Sequence, residues 1–432
     1  MNSLALLASI AALALLGACS FGHKKFSQER NGFDKSDDYV IQVDDFGSFW
    51  DPTAATEVLD SIATASSEKN TIVVLFIHGW HHNAAHNDSN AVNFSKTLRD
   101  LRQKLDDNKG GSPGAYRQSR AELTVNGDVR VIGIYIGWRG KSLPMPLDYL
   151  TFWGRKSAAE RVGEGDLREF LIRLNSIYMD RNATNSNDHK RPLFGLISVG
   201  HSFGGQVLFK AVVNTLENEL INATKTSING VAPALGSVSG FGDLVVLINP
   251  ALEALQYERI HALNRRVNYS NRQAPVLMVL SSETDLARKR FFPIGRWIGS
   301  VFRPAFRGAQ SGLWTQALGE YPPQRTHKVE VVQSDGNIFP GFDSLIYKND
   351  PCAIVNFDLT NVPSIGGVRL KPINSHQPFS PFLVAYADGK VVLQHSGIFE
   401  EILRNFMNDY IAIAQGKRLL LRNHDTHLCA GS

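Results

Sequence analysis

The pentapeptide Gly200-His201-Ser202-Phe203-Gly204 carries the strongest chemical signal in the sequence. A serine hydroxyl can serve as a nucleophile when a tight strand-to-helix turn presents it, and small residues two positions before and after the serine permit that turn. The apolar run at 193–199 precedes the pentapeptide, and the helix-like stretch at 205–216 follows it. This setting predicts a nucleophile at Ser202, against the alternative of a purely structural turn.

A second motif, His78-Gly79-Trp80-His81-His82-Asn83, directly follows the apolar run at 71–77. Attack on an ester or amide builds negative charge on the carbonyl oxygen, which two pre-aimed backbone N–H groups can stabilise. One donor comes from the residue after the nucleophile and the other from a loop after an early strand. These positions predict an oxyanion hole formed by the backbone N–H groups of Phe203 and Trp80.

The histidines of the second motif also raise the possibility of a metal site. His82 and His86 have the i, i+4 spacing of one helix face, but no His-Glu-x-x-His motif is present and Asp88 is the one nearby acidic residue. The sequence therefore predicts no metal here. A histidine-rich cluster near the C-terminus is interpreted as a solvated tail, although its side chains are of metal-binding types: His424, Asp425, His427 and Cys429.

A serine nucleophile needs a histidine to take its proton and a carboxylate to orient that histidine. Asp285 follows the apolar run at 275–280 and is the predicted acid, with Glu283 as the alternative and Glu253 as a more distant one. His395 lies between Val391-Val392-Leu393 and the last predicted helix. It is the predicted base, and the chain order Ser202, Asp285, His395 favours it. Two other histidines stay open as rivals: His376 and His327.

Elements that could position these residues alternate along the chain. Runs that are apolar on both faces are typical of buried parallel strands, and they occur at 71–77, 129–136, 193–199, 244–248 and 275–280. Helix-like stretches lie between them at 91–105, 158–174 and 205–216. The alternation predicts an α/β fold, with a doubly wound and mainly parallel sheet that carries helices on both faces.

After Asp285 the alternation breaks, and an insertion is predicted at about 286–325. The stretch 288–307 mixes aromatic residues with basic residues and two prolines. We interpret it as a possible cap or lid, which could contact acyl chains or a membrane interface. The alternative is that its aromatic residues pack beneath the insertion. Regular structure is predicted again at 382–387, at 391–393 and in a helix at about 398–414.

The pattern of the N-terminal residues predicts an export signal. Residues 4–16 form an uncharged Leu/Ala run that is too short to span a bilayer, and Leu16-Gly17-Ala18-Cys19 resembles the lipobox of bacterial lipoproteins. The resemblance implies a signal peptide at 1–18, a lipid on Cys19 and anchoring in the cell envelope, with Ser20 suggesting the periplasmic side of the outer membrane. The n-region lacks Lys and Arg, which leaves open an ordinary cleaved signal or an uncleaved anchor.

The anchor leads into a predicted tether at 19–50 and a main domain at 51–422. If Cys19 carries lipid, Cys352 and Cys429 remain, and an export compartment would permit a disulfide between them. Of the 432 residues, 45 are basic and 41 acidic, so the net charge of +4 is small. Since no basic stripe or nucleic-acid motif accompanies it, nucleic acid is not a predicted partner.

Taken together, these motifs resemble those of the serine esterases and lipases of the α/β-hydrolase superfamily. Within it, the chain is similar to uncharacterised bacterial hydrolases that pair an His-Gly-Trp-x-His-Asn loop with a Gly-His-Ser-x-Gly elbow. The similarity covers residues 71–415 and implies an α/β-hydrolase fold, a Ser-Asp-His triad and an oxyanion hole, with no cofactor. The long separation between Asp285 and His395 departs from the family pattern.

The resulting hypothesis is hydrolysis of small carboxylic esters through an acyl-enzyme. Thioesterase, amidase or acyltransferase activity on the same scaffold stays open, because a fold does not fix a substrate. The alternative from a different class is an envelope lipoprotein that keeps the scaffold for binding alone. No motif indicates the acyl chain length or the head group.

Overall fold

The fold is taken from a computed structural model, which describes residues 25, 37–106, 129–141, 151–183, 192–225, 235–292, 311–332, 357–365, 367–373 and 377–423. Within these residues one large sheet dominates, in the strand order β1-β3-β2-β4-β6-β8-β12-β9-β11-β10. Its strands are β1 Asp38–Gln42, β2 Thr71–Ile77, β3 Arg130–Gly137, β4 Phe194–His201, β6 Leu244–Ile248, β8 Leu277–Ser282, β9 His327–Val331, β10 Val362–Ile365, β11 Val368–Pro372 and β12 Phe382–Ala387. A separate small pair joins β5 Leu235–Gly236 to β7 Asn268–Tyr269.

The central strands are parallel because their residues are apolar on both faces and each face is covered. Every pairing from β1 across to β9 is parallel, and the β9-β11-β10 edge is antiparallel. In β2, Val73 and Leu75 belong to one hydrophobic core, whereas Phe76 belongs to the core on the opposite face. The predicted α/β-hydrolase-type fold class, with a mainly parallel sheet between two helical layers, is therefore confirmed.

Helices cover both faces of the sheet. The described helices are α1 Pro52–Glu68, α2 Ser89–Asp106, α3 Phe152–Glu164, α4 Asp166–Arg181, α5 Phe203–Lys225, α6 Ala254–Asn264, α7 Ser311–Thr315 and α8 Glu401–Asn423. Helix α1 shows how the sequence starts such an element: Asp51 caps it through a 3.0 Å bond to the backbone N–H of Ala54, and Pro52 is its first residue. The predicted single helix at 158–174 is two helices, α3 and α4, which meet at Gly165.

The predicted tether at 19–50 is too long. Residues 38–42 form β1, the edge strand that pairs in parallel with β3. The prediction failed because Asp37 and Asp38 looked like tether charges. In the fold, the side chain of Asp38 is fully buried and forms an ion pair with the guanidinium of Arg102. Arg130 forms a second ion pair with Asp37. The ion pairs allow a charged sequence to form a sheet edge.

The last strand has the predicted bounds of 382–387, but the regular structure predicted at 391–393 is not a strand. Strand β12 ends at Ala387, and Val391 and Val392 are buried within a turn-rich loop rather than in a further strand. The loop bends at Gln394, whose φ of 53° is left-handed. Helix α8 then begins at Glu401, three residues later than expected. The consequence is that the loop at 388–400 crosses the carboxyl end of the sheet.

The predicted insertion at 286–325 packs against the domain where the structure describes it. Arg288 is 1% exposed and Phe292 is 2% exposed, so these two members of the predicted cap lie in the interior. This agrees with the alternative that aromatic residues pack beneath the insertion. Residues 293–310 lie outside the described residues, and a lid role for them stays a prediction.

Several other predictions concern residues beyond the described part of the chain: Cys19 and the signal peptide, His376, Cys352, and the C-terminal cluster with Cys429. Among the helices that the structure describes, none is both long and apolar enough to cross a bilayer.

Candidate active site

Ser202 occupies a strained turn between β4 and α5. Its φ of 54° is left-handed, a conformation that a non-glycine residue adopts at a cost of about 1–3 kcal/mol. Glycines make the turn possible: a Cβ added at Gly204 would lie 2.1 Å from the carbonyl oxygen of Ile77, and one at Gly200 would lie 2.6 Å from the carbonyl oxygen of Gly204. The backbone of Ser202 is fixed by a 3.0 Å bond from its N–H to the carbonyl of Ile248.

His395 lies directly against the serine. The Oγ of Ser202 and the Nε2 of His395 are 2.8 Å apart, and the Nδ1 of His395 lies 2.7 Å from Oδ2 of Asp285. Since a carboxylate can only accept, Nδ1 carries the proton and Nε2 is left to accept the serine proton. The imidazole side chain is 27% exposed, whereas the Asp285 side chain is fully buried. The structure therefore joins the three predicted residues in one hydrogen-bonded chain.

Asp285 is held in its ionised form. Burial alone would raise the pKa of its carboxyl, but the hydrogen bonds from His395 and Arg288 and the positive charge of Arg288 outweigh burial. Together they hold the pKa of Asp285 well below its ordinary range. A carboxylate that stays charged can orient the imidazole and stabilise its cationic form during proton transfer.

Two buried polar side chains fasten the loop that carries His395. The Nε2–H of His201 donates to the carbonyl of His395 over 2.8 Å, and the Nδ2 of Asn249 donates to the carbonyls of Gln394 and His395 over 2.9 and 3.0 Å. The Oδ1 of Asn249 accepts a 2.9 Å bond from the N–H of Ser282, close to the acid. Burial lowers the pKa of His201 well below its ordinary value, so this ring is neutral. These two side chains tie together the ends of β4, β6 and β8.

The loop after β2 is set by a buried histidine. His78 is fully buried, its Nδ1–H donates to the carbonyl of Gly79 over 2.9 Å, and its Nε2 accepts a 3.0 Å bond from the N–H of Trp138. Burial lowers the pKa of His78 to about 4. A Cβ added at Gly79 would lie 2.8 Å from the Cβ of Ser202, so this loop runs directly beside the serine.

Phe203 and Trp80, the predicted oxyanion-hole residues, lie near each other, with ring centroids 6.2 Å apart. Phe203 is the first residue of α5, where backbone N–H groups have no partner within the helix and the helix dipole favours negative charge. Trp80 follows Gly79 in the loop beside Ser202. The rings of Phe203 and Trp80 each contact Phe152, with centroids 5.0 and 5.2 Å apart. The arrangement is compatible with an oxyanion hole made by two backbone donors, and this role remains a proposal.

The alternative residues are engaged elsewhere. Glu283 accepts a 3.2 Å bond from the N–H of Gly389, and the carboxylate of Glu253 lies 3.1 Å from Nζ of Lys156. The rival base His327 is buried, with its Nδ1 2.7 Å from the hydroxyl of Thr326, and burial lowers its pKa to about 4. None of these three groups is bonded to Ser202 or His395 in the described residues.

The histidines near residue 82, where the sequence predicts no metal, have other partners or are exposed. The Nδ1 of His82 lies 3.0 Å from Asp88 and His78 is closed off by its backbone partners, while His86 is exposed. Within the described ranges, no group of three or more His, Cys, Asp or Glu side chains is arranged so that it could hold a metal ion.

Three residues of this site were missed by the sequence analysis: His201, Asn249 and Arg288. Asn249 carried a usable signal, because it directly follows the apolar run at 244–248 and parallel strands end at one edge of the sheet. Arg288 lies three residues after Asp285, a spacing that one helical turn brings together. His201 was treated as a part of the elbow motif alone.

Comparison with known proteins adds little. No protein family matches the sequence, and no curated protein matches it. Among solved structures, phospholipase PlaB from Legionella pneumophila in complex with thio-NAD is similar at 15% identity and a TM-score of 0.23. The match covers 62% of this chain and 47% of that protein, so this chain spans about half of its length.

Proposed function

We propose that the protein is a serine hydrolase that cleaves carboxylic esters through an acyl-enzyme. The observation that carries the proposal is the continuous hydrogen-bonded chain from Asp285 through His395 to Ser202, at a left-handed strand-to-helix turn. A serine, a histidine and a buried carboxylate in this order are the components of a nucleophilic triad, whatever the fold.

The proposed reaction follows from the atoms in contact. As the Oγ of Ser202 attacks the carbonyl carbon of the ester, its proton passes to Nε2 of His395 over the 2.8 Å bond. The tetrahedral oxyanion is stabilised by the N–H groups of Phe203 and Trp80. The imidazolium then gives its proton to the departing alkoxide, which leaves as the alcohol. A water molecule repeats the sequence on the acyl-serine and releases the carboxylic acid, restoring the Ser202 hydroxyl.

Asp285 supports both halves of this cycle without changing its own charge. Because its pKa is held well below the ordinary range, it stays ionised at neutral pH and keeps the proton of His395 on Nδ1. Its complete burial excludes water from the Asp285–His395 bond and strengthens it.

Hydrolysis of p-nitrophenyl acetate and butyrate tests the proposal. Ser202→Ala removes one hydroxyl and should lower kcat by about 10⁴–10⁶-fold, as loss of a triad member does. Ser198→Ala is a matched control, since Ser198 is fully buried on β4, the strand that leads to Ser202, and its hydroxyl has no hydrogen-bond partner in the described residues. That variant should retain wild-type kcat. Wild-type-like activity in Ser202→Ala would refute the proposal.

The acyl-donor class is decided by the same assay with a thioester and an anilide of the same acyl group. We expect the ester to be hydrolysed faster than the anilide, because its oxygen leaving group departs more readily than an amine. A thioester or anilide turned over faster than the ester would reassign the substrate class while keeping the nucleophile.

A lipid on Cys19 and a position in the bacterial envelope form a second proposal, which is supported by the Leu16-Gly17-Ala18-Cys19 junction alone. Mass spectrometry of the mature N-terminus from a bacterial host tests it. A diacylglyceryl-cysteine terminus is expected, and an unmodified terminus that begins at another residue would contradict it.

A further inference from the structure

A fully buried arginine lies behind the candidate acid. Arg288 follows Asp285 by three residues, in a short π-helix at Ala287–Phe291. Its Nε donates to Oδ2 of Asp285 over 2.7 Å, and its backbone N–H donates to Oδ1 over 3.1 Å. The rest of the guanidinium is bonded too: one nitrogen lies 2.7 Å from the hydroxyl of Ser281 and the other lies 2.8 Å from Oε1 of Glu320.

The arginine and the histidine share one oxygen. Oδ2 of Asp285 accepts both the 2.7 Å bond from Nδ1 of His395 and the 2.7 Å bond from Nε of Arg288. The negative charge of the carboxylate is therefore divided between a permanent cation and a titratable ring. Any cationic form of His395 has a guanidinium as its neighbour across a single carboxylate.

Burying such a charge needs a compensating reason. A buried ion pair is often no more stabilising than apolar residues of the same volume, because each ion loses its hydration. Arg288 and the side chain of Asp285 are 1% and 0% exposed, and Glu320 is 10% exposed. A gain in stability is therefore a weak explanation for a three-charge cluster directly behind the candidate acid.

We infer that Arg288, held by Glu320, is a positioning residue that orients Asp285 and limits how strongly this carboxylate favours the protonated form of His395. The inference rests on the proposed function and concerns the pH range of the same site. With Arg288 in place, His395 stays unprotonated, and so able to accept the proton of Ser202, at lower pH than it would beside an unpaired carboxylate.

The other groups that face His395 do not substitute for Arg288. From β4, His201 has its ring centroid 5.2 Å from that of His395, and burial keeps this ring neutral. From the end of β8, Glu283 binds the N–H of Gly389, and Nζ of Lys289 is bonded to the Glu283 carbonyl. In the described part of the chain, Asp285 is the anion and Arg288 the buried cation closest to the imidazole.

The sign of the effect follows from the charges. Replacing Arg288 by an apolar residue leaves a buried carboxylate with His395 as its only charged partner, so the imidazole retains its proton to higher pH. The acid limb of the kcat/KM profile then moves to higher pH, by about one unit if the proton affinity of His395 rises about tenfold. Replacing Glu320 by glutamine removes a negative charge from the far side of Arg288. The acid limb then moves to lower pH by a smaller amount, because Glu320 lies further from His395 than Arg288 does.

Profiles of kcat/KM against pH for the wild type, Arg288→Met, Arg288→Lys and Glu320→Gln test the inference. We expect the acid limb about one unit higher for Arg288→Met, close to wild type for Arg288→Lys, and slightly lower for Glu320→Gln. An unmoved limb in Arg288→Met, with only a lower kcat, would assign Arg288 a structural role and overturn the inference. Shifts of equal sign in Arg288→Met and Glu320→Gln would also overturn it.

A spectroscopic measurement keeps the test independent of turnover and of one variant's folding. In the Ser202→Ala background, the downfield proton resonance of Nδ1 in His395 reports the bond to Asp285 and changes as the ring titrates. Its midpoint should move with the same signs in the Arg288→Lys, Arg288→Met and Glu320→Gln proteins, and His395→Gln assigns the resonance. A wild-type protein that hydrolyses no ester would refute the proposed function. A midpoint of the Nδ1 resonance that is the same in all these variants would refute this inference alone.

Discussion

Asn249 offers the most specific test of how the site is assembled. It is fully buried at the end of β6 and makes three hydrogen bonds, two to the loop carrying His395 and one to the N–H of Ser282. Its φ of 46° is one that glycine adopts without strain. The change Asn249→Gly therefore deletes the three hydrogen bonds while leaving the backbone free to keep its course.

The number of hydrogen bonds removed sets the expected loss of stability and of kcat in Asn249→Gly. A typical hydrogen bond contributes about 0.5–1.5 kcal/mol net, so three bonds correspond to about 1.5–4.5 kcal/mol of unfolding free energy. The two bonds to the base-bearing loop account for about 1–3 kcal/mol of this. If about 1.4–2.7 kcal/mol of that energy orients His395 toward Ser202, kcat should fall by about 10- to 100-fold, since 1.36 kcal/mol corresponds to tenfold in rate.

Steady-state hydrolysis of p-nitrophenyl acetate, together with urea unfolding, measures both effects. The matched control is Asn264→Ala: Asn264 is also buried and bonded through both amide atoms, to Ser380 and Tyr269, but it ends α6 away from the site. The control should lose stability and keep wild-type kcat. An Asn249→Gly protein with kcat within about twofold of wild type would refute the positioning role.

Three further outcomes are expected. Gly79→Ala should lower kcat by about 100-fold with little loss of helical circular dichroism, because its new Cβ would lie 2.8 Å from that of Ser202. The unfolding free energy in urea should fall on acidification from pH 6.5 to 4, by about 3 kcal/mol for each of His78 and His327, since the unfolded chain protonates both rings in this range and the folded chain, where both pKa values are about 4, does so only at its lower end; a flat profile would contradict this. Glu283→Gln should keep kcat within about threefold, whereas Asp285→Asn should lose about 10⁴-fold, and a reversal would reassign the acid.

The ends of the buried strands were the part of the fold that could be predicted best from the sequence. Uninterrupted β-branched and apolar runs mark buried parallel strands, and parallel strands end at a single edge. The residues just beyond those ends, Ser202 after β4 and Asp285 after β8, were therefore predictable as neighbours. His395 followed from chain order, although the strand expected directly before it is a loop.

Charged residues were the main source of error, because their environment is set by partners far along the chain. Asp38 joins an edge strand only because Arg102 neutralises it across 64 positions, and Arg288 was assigned to a surface cap although it is buried against Asp285. No local pattern distinguishes a charge that solvent surrounds from one that a distant ion pair buries. The sequence therefore predicts the nucleophile better than the network that supports it.

The proposed nucleophile is the hydroxyl of Ser202, activated by His395. The most direct measurement is labelling of the folded protein with a fluorophosphonate, followed by digestion and mass spectrometry of the adduct. We expect one phosphonylated peptide with the adduct on Ser202, retained in Ser198→Ala and lost in Ser202→Ala and His395→Ala. An adduct on another residue, or no adduct on protein whose circular dichroism shows it to be folded, would exclude Ser202 as the nucleophile.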